Sequence, residues 1–476
     1  FERGEYDQAI RQDYHPLSAF SFACANHVQQ SVLSAPASPR EERQRRERAA
    51  YLLSVLAGVV GVWLLIDVSR RLFPNVPAWL VGLLAALTPY LVRTSADIMS
   101  DGIFIALFVL AIRQADVALR RRSEHWLGAV VGAGLAGGVT GLAYLTRPEA
   151  LVLIPAVLVY WAPELRRRPG VTAAQGVFFL LGVAFLAFPY IYALFLESGE
   201  WLITRKKSLG SLLGWTACVS IPGGPLRAGV GGAILDARAL TRIVDRWFFA
   251  SPEVLGVAAL IGAIAVVRRR EWYRGHLLFV TALASLVGVF LLLLHSSQDY
   301  GYLTKRHVIT LVTLTLPFAA RGVTAFSSIL ASRVPASQRR RVFPFVLAGV
   351  LVAIGVKAIA PQRGDQRAQR SAADYILGHG SSEFVLTPRE KIAYYCGSER
   401  RLWPESAEAI VAEIRSRPEG WIVFYREKWP EISSGLEAAI RVGIVGGTLE
   451  RDTSFEERDR DPARHLDVYR WRAAPR

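Results

Sequence analysis

Long apolar runs alternate with short polar gaps along this chain, and blocks of arginine occupy every second gap. The blocks are Arg70–Arg71, Arg120–Arg122, Arg166–Arg168, Arg268–Arg270 and Arg339–Arg341. Short loops rich in Lys and Arg stay on the cytoplasmic side because moving those cations across a bilayer is costly, so the alternation orients the runs as membrane spans. Crossing the hydrocarbon takes roughly 20 residues. Ten stretches are read as spans: 49–69, 76–95, 101–119, 126–146, 149–163, 174–196, 252–268, 275–296, 307–326 and 342–360. The fifth is short enough to be a half-helix. Lipid offers no partner to backbone N–H and C=O groups, so each span is expected to be helical. The opposite gaps then lie outside the cytoplasm. They carry Asp97, Asp101, Arg147, Glu149 and the Lys305–Arg306–His307 run, and function is sought there.

Composition agrees with a polytopic membrane protein bearing a soluble part: 476 residues, 52% hydrophobic, mean hydropathy +0.28. A net charge of +16 could suit nucleic acid. The arginines, however, stand at the ends of apolar runs rather than on one soluble face, so nucleic acid is excluded as a partner and membrane lipids account for the charge. Cys24, Cys218 and Cys396 are widely spaced and form no CxxC, which indicates neither a metal site nor a disulfide framework. The chain opens on Phe1 in a polar stretch with no cleavable signal, and a further segment is expected upstream.

The fold class expected is an α-helical polytopic membrane protein of about ten spans with a small C-terminal α/β soluble domain. Residues 1–48 form an outer loop, and within it 17–35 reads as an interfacial helix, because Asn26, His27, Gln29 and Gln30 would be costly at a bilayer centre. Residues 49–360 form the membrane domain, interrupted by a long outer loop at 197–251. Residues 361–476 form the soluble domain, placed outside by the span count. Strands are expected at 383–387, 420–425, 443–449 and 466–471, with helices at 371–379, 389–396, 405–417 and 433–441, which suggests a largely parallel sheet.

Asp97 and Asp101, four residues apart, would share a helix face, and ionisable groups beside apolar helices are functional candidates by default. Asp101 could equally cap the helix that follows it. Arg147, Pro148 and Glu149 make a tight outer turn. The guanidinium fork suits a phosphate or carboxylate, and an Arg147–Glu149 pair is the plain alternative. Tyr300, Tyr302, Lys305, Arg306 and His307 break the charge alternation, so an anionic ligand or lipid headgroups must account for them. Asp67 and Asp116, near inner ends, read as solvated. The glycines of 128–141 lie within a span and read as close helix packing, not as a phosphate loop.

Three segments occur in order: Tyr14-His15-Pro16-Leu17, Thr88-Pro89-Tyr90 through Ser100-Asp101, and Gly141 through Glu149. Together they resemble the polytopic glycosyltransferases of the C superfamily, notably the protein O-mannosyltransferases and the aminoarabinose transferase of lipid A. The likeness covers most of residues 1–330. It implies an enzyme that takes a sugar from a polyprenyl-phosphate carrier and gives it, with inversion, to a lipid, glycan or protein acceptor on the periplasmic face of a bacterial inner membrane. It implies a general-base Asp upstream of Phe1, a second-loop acid at Asp97 or Asp101, and a His-Pro-Leu element at His15. Arg147, Glu149, Tyr302, Lys305, Arg306, His307 and His15 are then the phosphate- and substrate-binding candidates. No cofactor is identified, and a divalent ion on Asp101 is compatible with the chemistry. A transporter or a non-catalytic scaffold are the rival readings, but ionisable groups at helix ends rather than mid-span speak against a transporter.

Overall fold

The computed structural model describes residues 16–32, 39–96, 100–120, 126–204, 207–208, 243–244, 247, 250–268, 277–278, 280–288, 305–359, 364–379, 384–387, 392, 396, 406–415, 419–426, 430–442, 447–457 and 464–473. The chain divides into two compact units, Phe1–Ala358 and Ile359–Arg476.

The first unit is helical. Its elements are α1 (Pro16–Val32), α2 (Pro39–Leu72), α3 (Ala78–Leu87), α4 (Pro89–Ala96), α5 (Asp101–Arg120), α6 (Trp126–Thr146), a 3-10 turn at Pro148–Val152, α7 (Leu153–Leu165) and α8 (Pro169–Ser198). A short hairpin follows, β1 (Leu202–Thr204) with β2 (Lys207–Ser208). Then come α9 (Glu253–Arg268), a 3-10 turn at Lys305–Val308, α10 (Ile309–Ser332) and α11 (Arg339–Ile359). Among the described residues seven helices are long and apolar enough to cross a membrane, or eight if α3 and α4 count as one bent span. The outward stripe of Leu52, Leu56, Val59 and Trp63 on α2 is exposed, as a face against lipid requires, while Leu64, Leu65, Val68 and Leu72 are buried.

Several expectations change. The boundary drawn at residue 48 falls inside α2, which runs unbroken from Pro39 through the basic stretch into the span. The pairs Arg45–Glu41 and Arg46–Glu42, both 2.5 Å and four residues apart, support those charged first turns as helix. The span expected at 76–95 is broken instead, bent by 72° between α3 and α4. Thr88 adopts extended geometry (φ −71°, ψ 109°) because the ring of Pro89 disfavours helical backbone before it. The fifth span starts as a 3-10 turn and continues as α7. α9 has only 16 residues, and of 275–296 the described residues are helical. α8 ends on Gly199, whose φ of 72° suits the left-handed helix stop.

Glycines set the closest helix contacts, as the 128–141 pattern suggested. A Cβ on Gly137 would strike the Phe179 carbonyl, and one on Gly182 the Gly134 carbonyl, so α6 and α8 meet backbone to backbone. Gly262 of α9 and Gly322 of α10 do the same against Phe318 and Ala258. At the arginine-bearing helix ends, Asp116 is not solvated as expected. It is 2% exposed and accepts from Arg120 at 2.8 Å and from the Tyr160 hydroxyl at 3.0 Å. Asp67 pairs with Arg113 at 2.6 Å and Arg71 at 3.0 Å. Charge is neutralised there locally, which is the economical way to keep carboxylates beside apolar helices.

The second unit is a layered α/β domain made of α12 (Gly364–His379), β3 (Val385–Leu386), α13 (Ala407–Arg415), β4 (Glu419–Tyr425), α14 (Pro430–Val442), β5 (Gly447–Glu457) and β6 (Arg464–Ala473). The strand order is β3-β4-β6-β5. Only β3 and β4 pair in parallel; β6 is antiparallel to both its neighbours. The largely parallel sheet expected from the strand–helix alternation is therefore a mixed one. Helical crossovers do make β3, β4 and β5 run the same way, but β6 returns directly from β5 and inserts between it and β4. Alternation along β4 sends Trp421, Val423 and Tyr425 into the core with Ala372 and Ile376, and Ile422 and Phe424 into the core with Ile410 and Leu436.

Candidate active site

The polar centre of the membrane unit forms where α6 stops. Pro148 cannot continue a helix and pushes Arg147 out to extended backbone (φ −158°, ψ 136°). The Arg147 N–H still closes the last helical bond to Ala143, and the Arg147 carbonyl accepts from Ala150 as the 3-10 turn begins. This reversal puts Glu149 beside the guanidinium: Nη2 donates to Oε1 at 2.5 Å and Nε to Oε2 at 3.2 Å, a bidentate fork.

The second acid comes from α5. Asp101 opens that helix, where the positive end of the dipole favours a carboxylate. Its Oδ1 accepts a charge-assisted bond from Arg147 Nη1. The first turn of α5 reaches this depth because Gly102 lies against α2; a Cβ there would sit 2.9 Å from the Ser54 carbonyl. Asp101 is 0% and Arg147 7% exposed, so this is a buried network rather than a surface ion pair. Burial works against the charged guanidinium, yet the Glu149 and Asp101 carboxylates outweigh it and hold its pKa above the ordinary arginine value.

Three further groups complete the cluster. The Arg147 guanidinium lies 5.5 Å from the centre of the Phe104 ring, one turn along α5 from Asp101. Tyr90, on α4 just past the Pro89 break, acts electrostatically on Arg147, and its hydroxyl oxygen is buried. His307, in the 3-10 turn before α10, acts on Glu149. Three residues before Arg147, the Tyr144 hydroxyl donates 2.6 Å to the Ile203 carbonyl, which ties α6 to the hairpin after α8.

The fold thus brings Asp101, Arg147, Glu149 and His307 to one place from three separate stretches of chain. Both plain alternatives weighed for the turn are present as well, since Arg147 does pair with Glu149 and Asp101 does stand at a helix start. Lys305 and Arg306 open the 3-10 turn that carries His307. His15, Asp97, Tyr300 and Tyr302 lie outside the described residues. Sequence reasoning passed over Tyr90 and Phe104 as site residues; the Thr-Pro-Tyr step that breaks the second span was the available signal for Tyr90. Among the described residues no three His, Cys, Asp or Glu side chains are arranged to hold a metal. Asp101 and Glu149 are both turned onto the guanidinium, a donor arrangement that satisfies a cation already supplied by the protein.

Residues 43–192, which contain Tyr90, Asp101, Phe104, Arg147 and Glu149, match the family of dolichyl-phosphate-mannose-protein mannosyltransferases. No curated protein matches the chain in sequence. Among solved structures, ArnT from Cupriavidus metallidurans bound to undecaprenyl phosphate superposes with a TM-score of 0.53 at 12% identity, covering 96% of this chain and 88% of that one. The same protein in the apo state gives 0.52 at 12% identity, with 96% and 87% covered. The chain shares the fold of ArnT. Nearly the whole chain takes part in that likeness, whereas the family match is confined to residues 43–192, from α2 into α8. In this fold Asp101, Arg147, Glu149 and His307 meet at one end of α5, whose other end carries Arg120 with Asp116.

Proposed function

We propose that the protein transfers a sugar from a polyprenyl-phosphate carrier to a hydroxyl-bearing acceptor, at the periplasmic face of a bacterial inner membrane. The observation that carries this reading is the buried Arg147, held by two acids at the helix ends of the fold shared with ArnT. Buried ion networks beside apolar helices are costly, so they are kept where a reaction or a ligand needs them. The family match and the undecaprenyl phosphate bound in ArnT support the same donor class.

In this scheme the acceptor oxygen attacks the anomeric carbon while the bond from that carbon to the phosphate oxygen breaks. The leaving polyprenyl phosphate takes the bonding pair, the acceptor proton passes to a carboxylate, and a single displacement inverts the anomeric centre. Negative charge grows on the departing phosphate, and cations already oriented toward it lower the barrier without reorganising. Arg147 and His307 supply that charge, with Lys305 and Arg306 on the same turn. Asp101 has no exposure and its Oδ1 is committed to the guanidinium. It is therefore assigned to positioning Arg147, and Glu149 grips the same group from the other side. Asp97, four residues earlier in sequence, is the other carboxylate of the same gap.

The test uses the purified full chain in detergent with a radiolabelled polyprenyl-phosphate sugar and a membrane extract as acceptor source. Asp101→Asn and Arg147→Ala are expected to lose at least about 100-fold in transfer, the scale of removing one preorganised electrostatic group. Wild-type transfer rates in both variants would remove the cluster from the mechanism.

A further inference from the structure

A second place in the membrane unit has the chemistry of a ligand site, at the end opposite the Arg147 cluster. A cavity of about 620 Å³ is lined by Ile66, Arg70, Pro74, Val76, Ala78 and Trp79, where α2 turns into α3. Its walls are apolar apart from Arg70. Arg70 is exposed and Trp79 is 53% exposed, so the cavity opens at the surface of the bundle. A half-exposed indole beside a cation is the usual furniture of a membrane interface.

The mouth of this cavity gathers more charge from α11. Trp79 meets Phe343 edge to face, ring centres 6.3 Å apart. Arg340 and Arg339 precede Phe343 by three and four residues on α11, so they share the helix face that meets Trp79. Both are exposed, and neither they nor Arg70 has a carboxylate partner among the described residues. The neighbouring cations behave otherwise: Arg71 and Arg113 share Asp67, and Arg120 holds Asp116. Arg70 lines this apolar cavity and Arg339 and Arg340 stand on the helix face beside its Trp79, which is the charge pattern an anion with a hydrocarbon tail complements.

We propose that this cavity binds an anionic phospholipid. Its phosphate sits among Arg70, Arg340 and Arg339, and part of an acyl chain lies along Ile66, Val76 and Trp79. Guanidinium groups bond phosphate oxygens in bidentate geometry, and the low-dielectric wall strengthens that contact. The lipid would also brace α11 against the α2–α3 turn, since both contribute to its headgroup site. The proposal does not rest on the transfer reaction.

The experiment is lipid retention by the delipidated full-length protein, measured by native mass spectrometry after adding phosphatidylglycerol or phosphatidylcholine. The wild type should retain phosphatidylglycerol preferentially. Arg70→Gln and Arg340→Gln should each reduce that retention about fivefold, the worth of one interfacial cation, and Arg70→Lys should keep most of it. Trp79→Ala should weaken retention of phosphatidylglycerol without abolishing the preference for it. Arg168→Gln, an exposed arginine that does not line the cavity, should change nothing. Equal retention of both lipids, equal loss in Arg168→Gln, or displacement of phosphatidylglycerol by stoichiometric polyprenyl phosphate would each overturn the assignment.

Discussion

Replacing Arg147 by alanine separates what the cluster does for the fold from what it does for chemistry. The guanidinium is 7% exposed and bonds both Asp101, which is fully buried, and Glu149. Its removal takes from two buried carboxylates the cation they share, and leaves His307 acting on Glu149. Breaking a buried pair in this way costs about 3–5 kcal/mol, because the partner left behind keeps its desolvation penalty. Asp101→Asn should cost less, since the amide oxygen can still accept from Arg147 Nη1 while Glu149 remains as counter-ion. The decisive variant is the triple Asp101→Asn, Glu149→Gln, Arg147→Met, which removes all three charges together. It should recover most of the stability lost in Arg147→Ala, because a buried ion network replaced by neutral groups of similar size is often close to neutral. Thermal unfolding in detergent, followed by tryptophan fluorescence, gives the order wild type, then triple variant, then Arg147→Ala. Transfer activity should be absent from both variants. If Arg147→Ala melts with the wild type, or the triple variant is no more stable than Arg147→Ala, the network is not the buried, mutually dependent one argued above.

Four further outcomes are expected. Gly262→Leu places a side chain into the Phe318 carbonyl, so monodisperse yield in size-exclusion chromatography should collapse, whereas Gly349→Leu, which meets nothing, should be tolerated. Tyr144→Phe leaves the Ile203 carbonyl without its donor at a cost of about 1 kcal/mol, and limited proteolysis should cut faster just after β1. In the soluble unit Arg426 holds the fully buried Asp467 through bonds of 2.8 and 2.9 Å, so Arg426→Met should lower the melting of that unit, by roughly 2 kcal/mol because Arg426 is itself 38% exposed. Burial, with the nearby Asp467 carboxylate, raises the Tyr469 pKa above its ordinary value. A raised pKa means stability is intact below the unfolded tyrosine value and is lost as pH climbs through the folded one. The soluble unit should therefore weaken above about pH 10, less so in Tyr469→Phe, as read by circular dichroism.

The membrane class, the helices and the two-part organisation were legible because each follows from local chemistry. An apolar run long enough for the bilayer has to be a helix whatever its neighbours are. Likewise the glycines of α6 announced close packing, and the arginine blocks marked one membrane face. The acids and bases of the outer gaps were nameable one by one for the same reason: a charge beside an apolar run is conspicuous in one dimension.

What the sequence could not decide was which of those groups touch. Asp101 and Arg147 stand 46 positions apart, and their bond exists only because α2, α5 and α6 pack with Gly102 against Ser54. Asp116 read as solvated because its buried partner Tyr160 lies on another helix. The mixed sheet misled for the same reason, since strand order is set by which edge β6 finds and not by any property of its residues. Hydrophobicity and backbone bonding act over a few residues and so are written locally, while pairing energies depend on distances that only the packed chain defines.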